Sequence, residues 1–124
     1  MARLLDRAED YAVMRDGGVM EYCRENDIAI QTWSSLQVGY EKKVLFGHPN
    51  HPQLNAVLER MAEEKGVTPT AVALAWILRY PAKMQAIIGT SKASRIRDAA
   101  EACSISISRQ EWYEIYATDG RRVP

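Results

Sequence analysis

Two short stretches carry the residue types that hold anions and flat rings. The first is Gly89-Thr90-Ser91, which follows the apolar run Ala86-Ile87-Ile88 and leads into a helix predicted from Ser94 to Cys103. A glycine lets backbone approach a ligand closely, and Thr90 and Ser91 supply hydroxyl donors. A helix N-terminus presents unpaired N–H groups and a partial positive charge, which favours phosphate. Arg95, in the first turn, can grip an anion at two points, and Lys92 is a looser point charge. The same residues also fit capping hydroxyls beside a solvated arginine, and spacing alone leaves both readings open. The second stretch is Trp33-Ser34-Ser35-Leu36, at the end of a strand predicted over Ile28–Trp33. An aromatic at a strand's end can stack on a ring, and the hydroxyl and N–H groups after it can hold phosphate oxygens. The alternative, which composition favours, is a core tryptophan before a polar turn. Both stretches fall at the carboxyl ends of strands, so both belong on one rim, where β/α folds bind ligands.

Other chemistry-bearing residues form no set. His48 and His51 lie three apart beside Pro49 and Pro52, with no cysteine or carboxylate to complete a metal site. Cys23 and Cys103 each fall inside a predicted helix and read as small buried apolar residues. Glu63, Glu64, Asp98 and Glu101 are expected on solvated helix faces. The six tyrosines (Tyr11, Tyr22, Tyr40, Tyr80, Tyr113 and Tyr116) have no evident lysine or aspartate partner. Trp112 and Tyr116, four apart on the last helix, read as a packing pair. No nucleophile–base pair is visible.

The elements that must position these residues follow from periodicity and punctuation. Residues 1–16 are charged and without period, and are expected to be a poorly ordered N-terminal segment. Gly17-Gly18 opens a short helix that Asn26-Asp27 ends. Ser34–Asn50 holds Gly39, Gly47 and Pro49 and reads as one long loop. His51-Pro52 starts a helix with Leu54, Val57, Leu58, Met61 and Ala62 on one stripe, closed by Lys65-Gly66. Thr68-Pro69 starts another, Thr70–Arg79, which is apolar nearly all round and must be covered on several sides. Ala86–Ile88 is the second strand. The helix after it turns Ile96, Ala99, Ala100 and Cys103 to one face, and Ser108-Arg109-Gln110-Glu111 is a capping box opening a last helix to about Ala117. Strands alternating with helices indicate a parallel β/α arrangement. Two strands cannot by themselves cover a helix like 70–79.

Composition removes several classes of function. The chain has 124 residues, with 16 basic and 16 acidic side chains, so its formal charge is zero. That balance gives no electrostatic footprint for nucleic acid or an anionic membrane. The longest apolar stretch, Ala71–Leu78, is far short of the roughly 20 residues of a membrane span. The N-terminus lacks the apolar core of a signal peptide. Two cysteines without a framework suit a reducing, cytoplasmic compartment.

Four separated blocks now carry a resemblance. They are Ile30-Gln31-Thr32-Trp33-Ser34-Ser35-Leu36, the run from Gly66-Val67-Thr68-Pro69 to Tyr80-Pro81-Ala82, Ile87–Ile96, and Gln110–Tyr116. In order and spacing they resemble the C-terminal part of the aldo-keto reductases, from about Asp16 to Pro124. The likeness is strongest to a bacterial oxidoreductase branch whose chains end in Val-Pro. The resemblance implies a C-terminal fragment of a (β/α)8 TIM barrel, an α/β fold, helix-rich here, with its last two strands, about five helices and the closing tail. It also implies one partial domain over 1–124. The implied activity is reduction of aldehyde or ketone carbonyls by hydride transfer from NADP(H). By resemblance Trp33 stacks on the nicotinamide, Ser34 and Leu36 lie near the pyrophosphate, and Gly39 lies in a loop that folds over the cofactor. Gly89, Thr90 and Ser91 match the loop at the adenosine 2′-phosphate, Arg95 the arginine on that phosphate, and Asp98 an acidic position near the adenine. Gly89 stands where many members carry lysine and Ala99 where many carry asparagine. These departures leave NAD(H) open as cofactor, although Lys92 could compensate. The family's tyrosine, lysine, aspartate and histidine lie N-terminal to the matched blocks, so the resemblance implies a chain with cofactor-side residues and no catalytic set. A reading from another class is a non-catalytic nucleotide-binding or assembly module that needs a partner chain, self-association through exposed apolar barrel surface included.

Overall fold

In this computed structural model, residues 18–38 and 43–118 are described. The expected N-terminal segment 1–16, Gly39 and the tail beyond Thr118 lie outside them. Helix α1 spans Val19–Glu25 and starts at Gly18, whose left-handed φ of 70° suits a residue without Cβ. At its end the Asn26 side chain donates to the Tyr22 carbonyl at 2.9 Å. Strand β1, Ile30–Thr32, follows at once.

The expected loop 34–50 is not structureless. It holds an antiparallel pair, β2 (Gln37–Val38) and β3 (Lys43–Val44), extended by the Leu45 N–H donating to the Leu36 carbonyl at 2.9 Å. Strands of two residues are too short to show a period of two, so no sequence pattern announces them.

Helix α2, Pro52–Lys65, and helix α3, Pro69–Leu78, form where the punctuation puts them. In α2, Leu54, Leu58, Met61 and Ala62 are buried as the stripe requires, and Gly66 closes the helix at φ 66°. The Thr68 hydroxyl caps α3 by accepting from the Ala71 N–H at 3.2 Å. Ala71 through Ile77 are all buried, and the cover comes from within the chain. α2 lies on one side. The second strand lies on another, and helix α4 (Ala93–Ala100) with a following 3-10 turn, Glu101–Cys103, completes the cover. The neighbours that two strands could not supply are these helices.

Strand β4, Met84–Ala86, pairs in parallel with β1 in the register Ile30↔Met84, Gln31↔Gln85 and Thr32↔Ala86. It sits earlier than the expected Ala86–Ile88. Ladder bonds run from Lys83, whose carbonyl accepts from the Ile30 N–H at 2.8 Å, to the Ile87 N–H on the Thr32 carbonyl at 2.9 Å. Ile87 and Ile88 are apolar yet exposed, and they lead off the strand toward the rim. β-Branched residues mark a strand without saying where its partner stops.

Two expectations about α4 fail. The 3-10 turn tightens the chain after Ala100, and the face packed on the core is Ala99 with Ala102, while Ile96, Ala100 and Cys103 are exposed. Cys103 is therefore not a core residue. Cys23 is half-buried, on a helix with no fully buried residue.

Helix α5, Arg109–Ala117, starts with the predicted capping box: the Ser108 hydroxyl accepts from the Glu111 N–H at 3.2 Å, and Glu111 Oε2 accepts from the Ser108 N–H at 2.6 Å. It is fastened to α3 by stacked Trp76 and Trp112 rings, 4.9 Å apart at 9°. Each indole N–H donates to the other residue's carbonyl, at 2.9 and 3.1 Å. Tyr116 stacks on Trp112 in turn at 5.5 Å, as its spacing predicts.

Candidate functional site

Because β1 and β4 are parallel, their carboxyl ends open on one side of the molecule. A cleft of about 440 Å³ lies there. The turn after β1 gives it Ser34, Ser35 and Leu36, and the segment after β4 gives it Ile87, Ile88, Gly89 and Thr90. The β2–β3 pair adds Gln37, Val44 and Phe46, α3 adds Thr70 and Leu74, and α4 adds Arg95, Asp98 and Ala99. The structure thus brings together Ser34, Leu36, Gly89, Thr90, Arg95 and Asp98 from separate parts of the sequence.

Three predicted residues do not line the cleft. Trp33 stands just before it at 64% exposure, so it is not the core tryptophan that composition favours. Ser91 and Lys92 point to solvent at the mouth of α4. Gly39 lies outside the described residues. Sequence reasoning missed Phe46, Thr70 and Leu74, whose only signal is membership in elements that converge on the rim, while Ser35 lines the cleft as part of the stretch Trp33–Leu36.

Local geometry prepares both sides. Ser34 has φ 53°, a left-handed conformation uncommon for serine, which turns the chain sharply off β1. Ser35 is buried, and its hydroxyl shares a 2.8 Å hydrogen bond with that of Thr32. Across the cleft the Thr90 hydroxyl accepts from the Lys92 N–H at 3.2 Å. Lys92 is the N-cap of α4, and no side chain caps that helix, so neither serine nor threonine closes its first turn. Of that alternative the capping hydroxyls do not describe this helix, whereas the arginine is exposed as it expects. Its first N–H groups stay open toward the side where Arg95 sits. A Cβ built on Gly89 would meet nothing within 4 Å, so protein packing leaves the space before it clear.

Asp98 is half-buried in the cleft wall rather than solvated. Glu101 also departs from expectation: its Oε2 is buried with no hydrogen-bond partner. The groups whose titration the fold shifts lie elsewhere. Burial raises the Tyr80 phenol, helped by the Glu21 carboxylate it meets at 3.2 Å. For Glu111 burial pushes upward, but hydrogen bonds from Lys65 and Ser108 outweigh it and hold the carboxyl below its usual range.

Among the described residues no tyrosine, lysine or histidine lines the cleft, and no three metal-ligating side chains come together. His48 and His51 have ring centroids 5.7 Å apart, and His48 Nδ1 accepts from the Asn50 N–H at 3.2 Å. A second cavity, about 290 Å³, lies at the opposite strand ends beside Cys23, Arg24 and the Lys83–Asp27 ion pair.

The family model described as the aldo/keto reductase family matches residues 11–119. The chain is 38% identical over 99 residues to a 6-dehydroglucose reductase of Agrobacterium fabrum, covering 80% of this chain and 32% of that protein. It is 31% identical over 99 residues to oxidoreductase YdhF of Escherichia coli, covering 79% and 32%. The chain spans about a third of the length of these curated relatives. Among solved structures, an aldose reductase from Giardia lamblia superposes with a TM-score of 0.66 at 19% identity, covering 89% of this chain and 35% of its own. A thermostable aldo-keto reductase in complex with the inhibitor epalrestat gives 0.65 at 24%, covering 89% and 36%. Both are aldo-keto reductase TIM barrels, and the fold described above matches about a third of each. With the family model spanning nearly the whole chain, this protein belongs to the aldo/keto reductase family.

Proposed function

We propose that this chain supplies the cofactor-side wall of an oxidoreductase that reduces aldehyde or ketone carbonyls with NADP(H). The observation that supports this most is the meeting of Ser34, Leu36, Gly89, Thr90 and Arg95 in one cleft at the carboxyl ends of two parallel strands. The donor set fits a dinucleotide phosphate: an uncapped helix N-terminus, a guanidinium in its first turn and a threonine hydroxyl. In this reading Arg95 and the α4 N–H groups hold the 2′-phosphate, with Lys92 adding positive charge from solvent. Asp98 accepts from an adenine or ribose donor, Ser34 and Leu36 hold the pyrophosphate side, and Trp33 flanks the nicotinamide. When bound, the nicotinamide supplies the hydride. The proton that a carbonyl oxygen takes up must come from a general acid. Among the described residues no tyrosine, lysine or histidine lines the cleft, and its one carboxyl, Asp98, is engaged by the adenine or ribose in this reading, which is therefore of a chain that by itself binds cofactor without turnover. NAD(H) is the competing cofactor, because Gly89 and Ala99 stand where many members of the family carry lysine and asparagine. The name of the Agrobacterium relative makes sugar carbonyls the first substrates to test with a complete barrel. We place this activity in the cytoplasm, where free thiols such as Cys23 and Cys103 persist.

Calorimetric titration of the chain with NADPH and NADH tests the reading. It requires single-site binding, tighter for NADPH, that Arg95→Ala weakens. Carbonyl-dependent NADPH oxidation by the chain alone would overturn the claim that it lacks turnover.

A second reading, an assembly module without catalysis, is favoured by a separate observation. The β1–β4 sheet has only two strands among the described residues, and Ile28, Trp33, Ile87 and Ile88 around it are exposed. Unpaired strand edges beside apolar side chains invite further strands or a second copy. Sedimentation decides this: association supports the reading, and a compact monomer at all concentrations removes it.

A further inference from the structure

We infer that Asn55, in the first turn of α2, is a positioning residue for the cleft; this rests on the cofactor reading above. Asn55 is 7% exposed and sits in an otherwise apolar stripe. A buried amide is costly unless its polar atoms are paired. Here three of its four hydrogen-bonding positions are filled, all by backbone. Its Oδ1 accepts from the Gly47 N–H at 3.0 Å, and its Nδ2 donates to the Leu45 carbonyl at 3.1 Å and the His51 carbonyl at 2.8 Å. One side chain therefore holds three points of the segment 45–51.

That segment bears on the cleft directly. Phe46 lies between the two pinned residues Leu45 and Gly47, and Val44 precedes them; both Val44 and Phe46 line the cleft. Leu45 is fully buried, and its N–H reaches the Leu36 carbonyl at 2.9 Å, which ties the same segment to the turn after β1. Gly47 holds φ 71°, a conformation open to glycine and strained for other residues, and its N–H is the one Asn55 accepts. Asn55 itself does not touch the cleft. An apolar residue would pack α2 as well but would leave the Gly47 N–H without the Asn55 acceptor and the Leu45 carbonyl with the His48 N–H at 3.1 Å in place of two donors, so the amide serves the wall that carries Phe46.

The test compares Asn55→Ala with Leu58→Ala, a control in the same helix at a fully buried position that touches none of these bonds. Amide hydrogen exchange at Gly47 and calorimetric NADPH affinity are read on the folded chain. Asn55→Ala should speed Gly47 exchange and raise the NADPH Kd, each about tenfold, the scale of one or two lost buried hydrogen bonds. Leu58→Ala should lower Tm at least as much while leaving both readouts near the unaltered chain. If Asn55→Ala does not fold, Gly47→Ala loosens the same segment through its positive φ and should raise the Kd in the same direction. Unchanged Gly47 exchange in Asn55→Ala, or an equal Kd rise in Leu58→Ala, overturns the proposal. Absence of NADPH binding in the unaltered chain overturns the cofactor reading instead, and the exchange comparison then decides the role of Asn55 by itself.

Discussion

Arg95 concentrates the functional argument, because it is the one cationic side chain lining the cleft among the described residues. Charge-assisted hydrogen bonds to an anion contribute about 1.5–3 kcal/mol, so Arg95→Ala should weaken NADPH binding by about tenfold to a hundredfold. The residue is exposed, so Tm should hardly move, and NADH affinity should fall less than NADPH affinity. Calorimetry with both cofactors checks the pattern. Glu111 makes a different prediction. Its carboxyl is held below the usual range, so the folded state favours the ionised form. The stability this contributes is present at neutral pH and is lost as pH falls through the lowered value. Glu111→Gln should lower Tm at pH 7 and narrow its difference from the unaltered chain at acid pH. A constant Tm difference across that range would contradict it. At this scale Gly89, Thr90 and Arg95 were legible because a glycine, a hydroxyl and a cation before a helix have a chemical reason to sit together. Asn55 was not, since a search for apolar spacing reads past a polar residue within a stripe.

Helix boundaries were legible because local chemistry sets them. Pro52 and Pro69 at first positions, the Thr68 cap, the Ser108–Glu111 box and Gly66 each act within a turn or two of their own position. The β2–β3 pair was not, because strands of two residues show no period, and the true span of β4 was not, because it depends on β1, a partner distant in sequence. The same holds for the Trp76–Trp112 pair, which joins α3 to α5 across 36 positions. Its stack and two reciprocal hydrogen bonds fasten α5 to α3, beside the Lys65–Glu111 and Arg60–Glu114 ion pairs that tie α5 to α2. Trp112→Phe keeps a ring but removes one indole donor, and should cost about 0.5–1.5 kcal/mol in denaturant unfolding. Trp112→Ala removes the stack as well and should cost about 3–5 kcal/mol. Equal losses in the two variants would show that the stack contributes nothing beyond the hydrogen bond.

At the scale of the molecule, two observations belong together. Ala71 to Ile77 of helix α3 are buried by their own chain, so the helical layer forms a core without outside help. The sheet is the opposite: two parallel strands, with Trp33, Ile87 and Ile88 exposed beside the cleft. The chain matches about a third of the length of its curated relatives, and among the described residues the cleft carries Arg95 but no tyrosine, lysine or histidine. The central claim is that this third holds the cofactor. Titration of the chain with NADPH, beside Arg95→Ala, tests it most directly. The account predicts saturable single-site binding to the unaltered chain, weakened about tenfold or more in the variant. No binding up to about millimolar NADPH, the weak end of specific affinity, or equal affinity in the two chains, would contradict it.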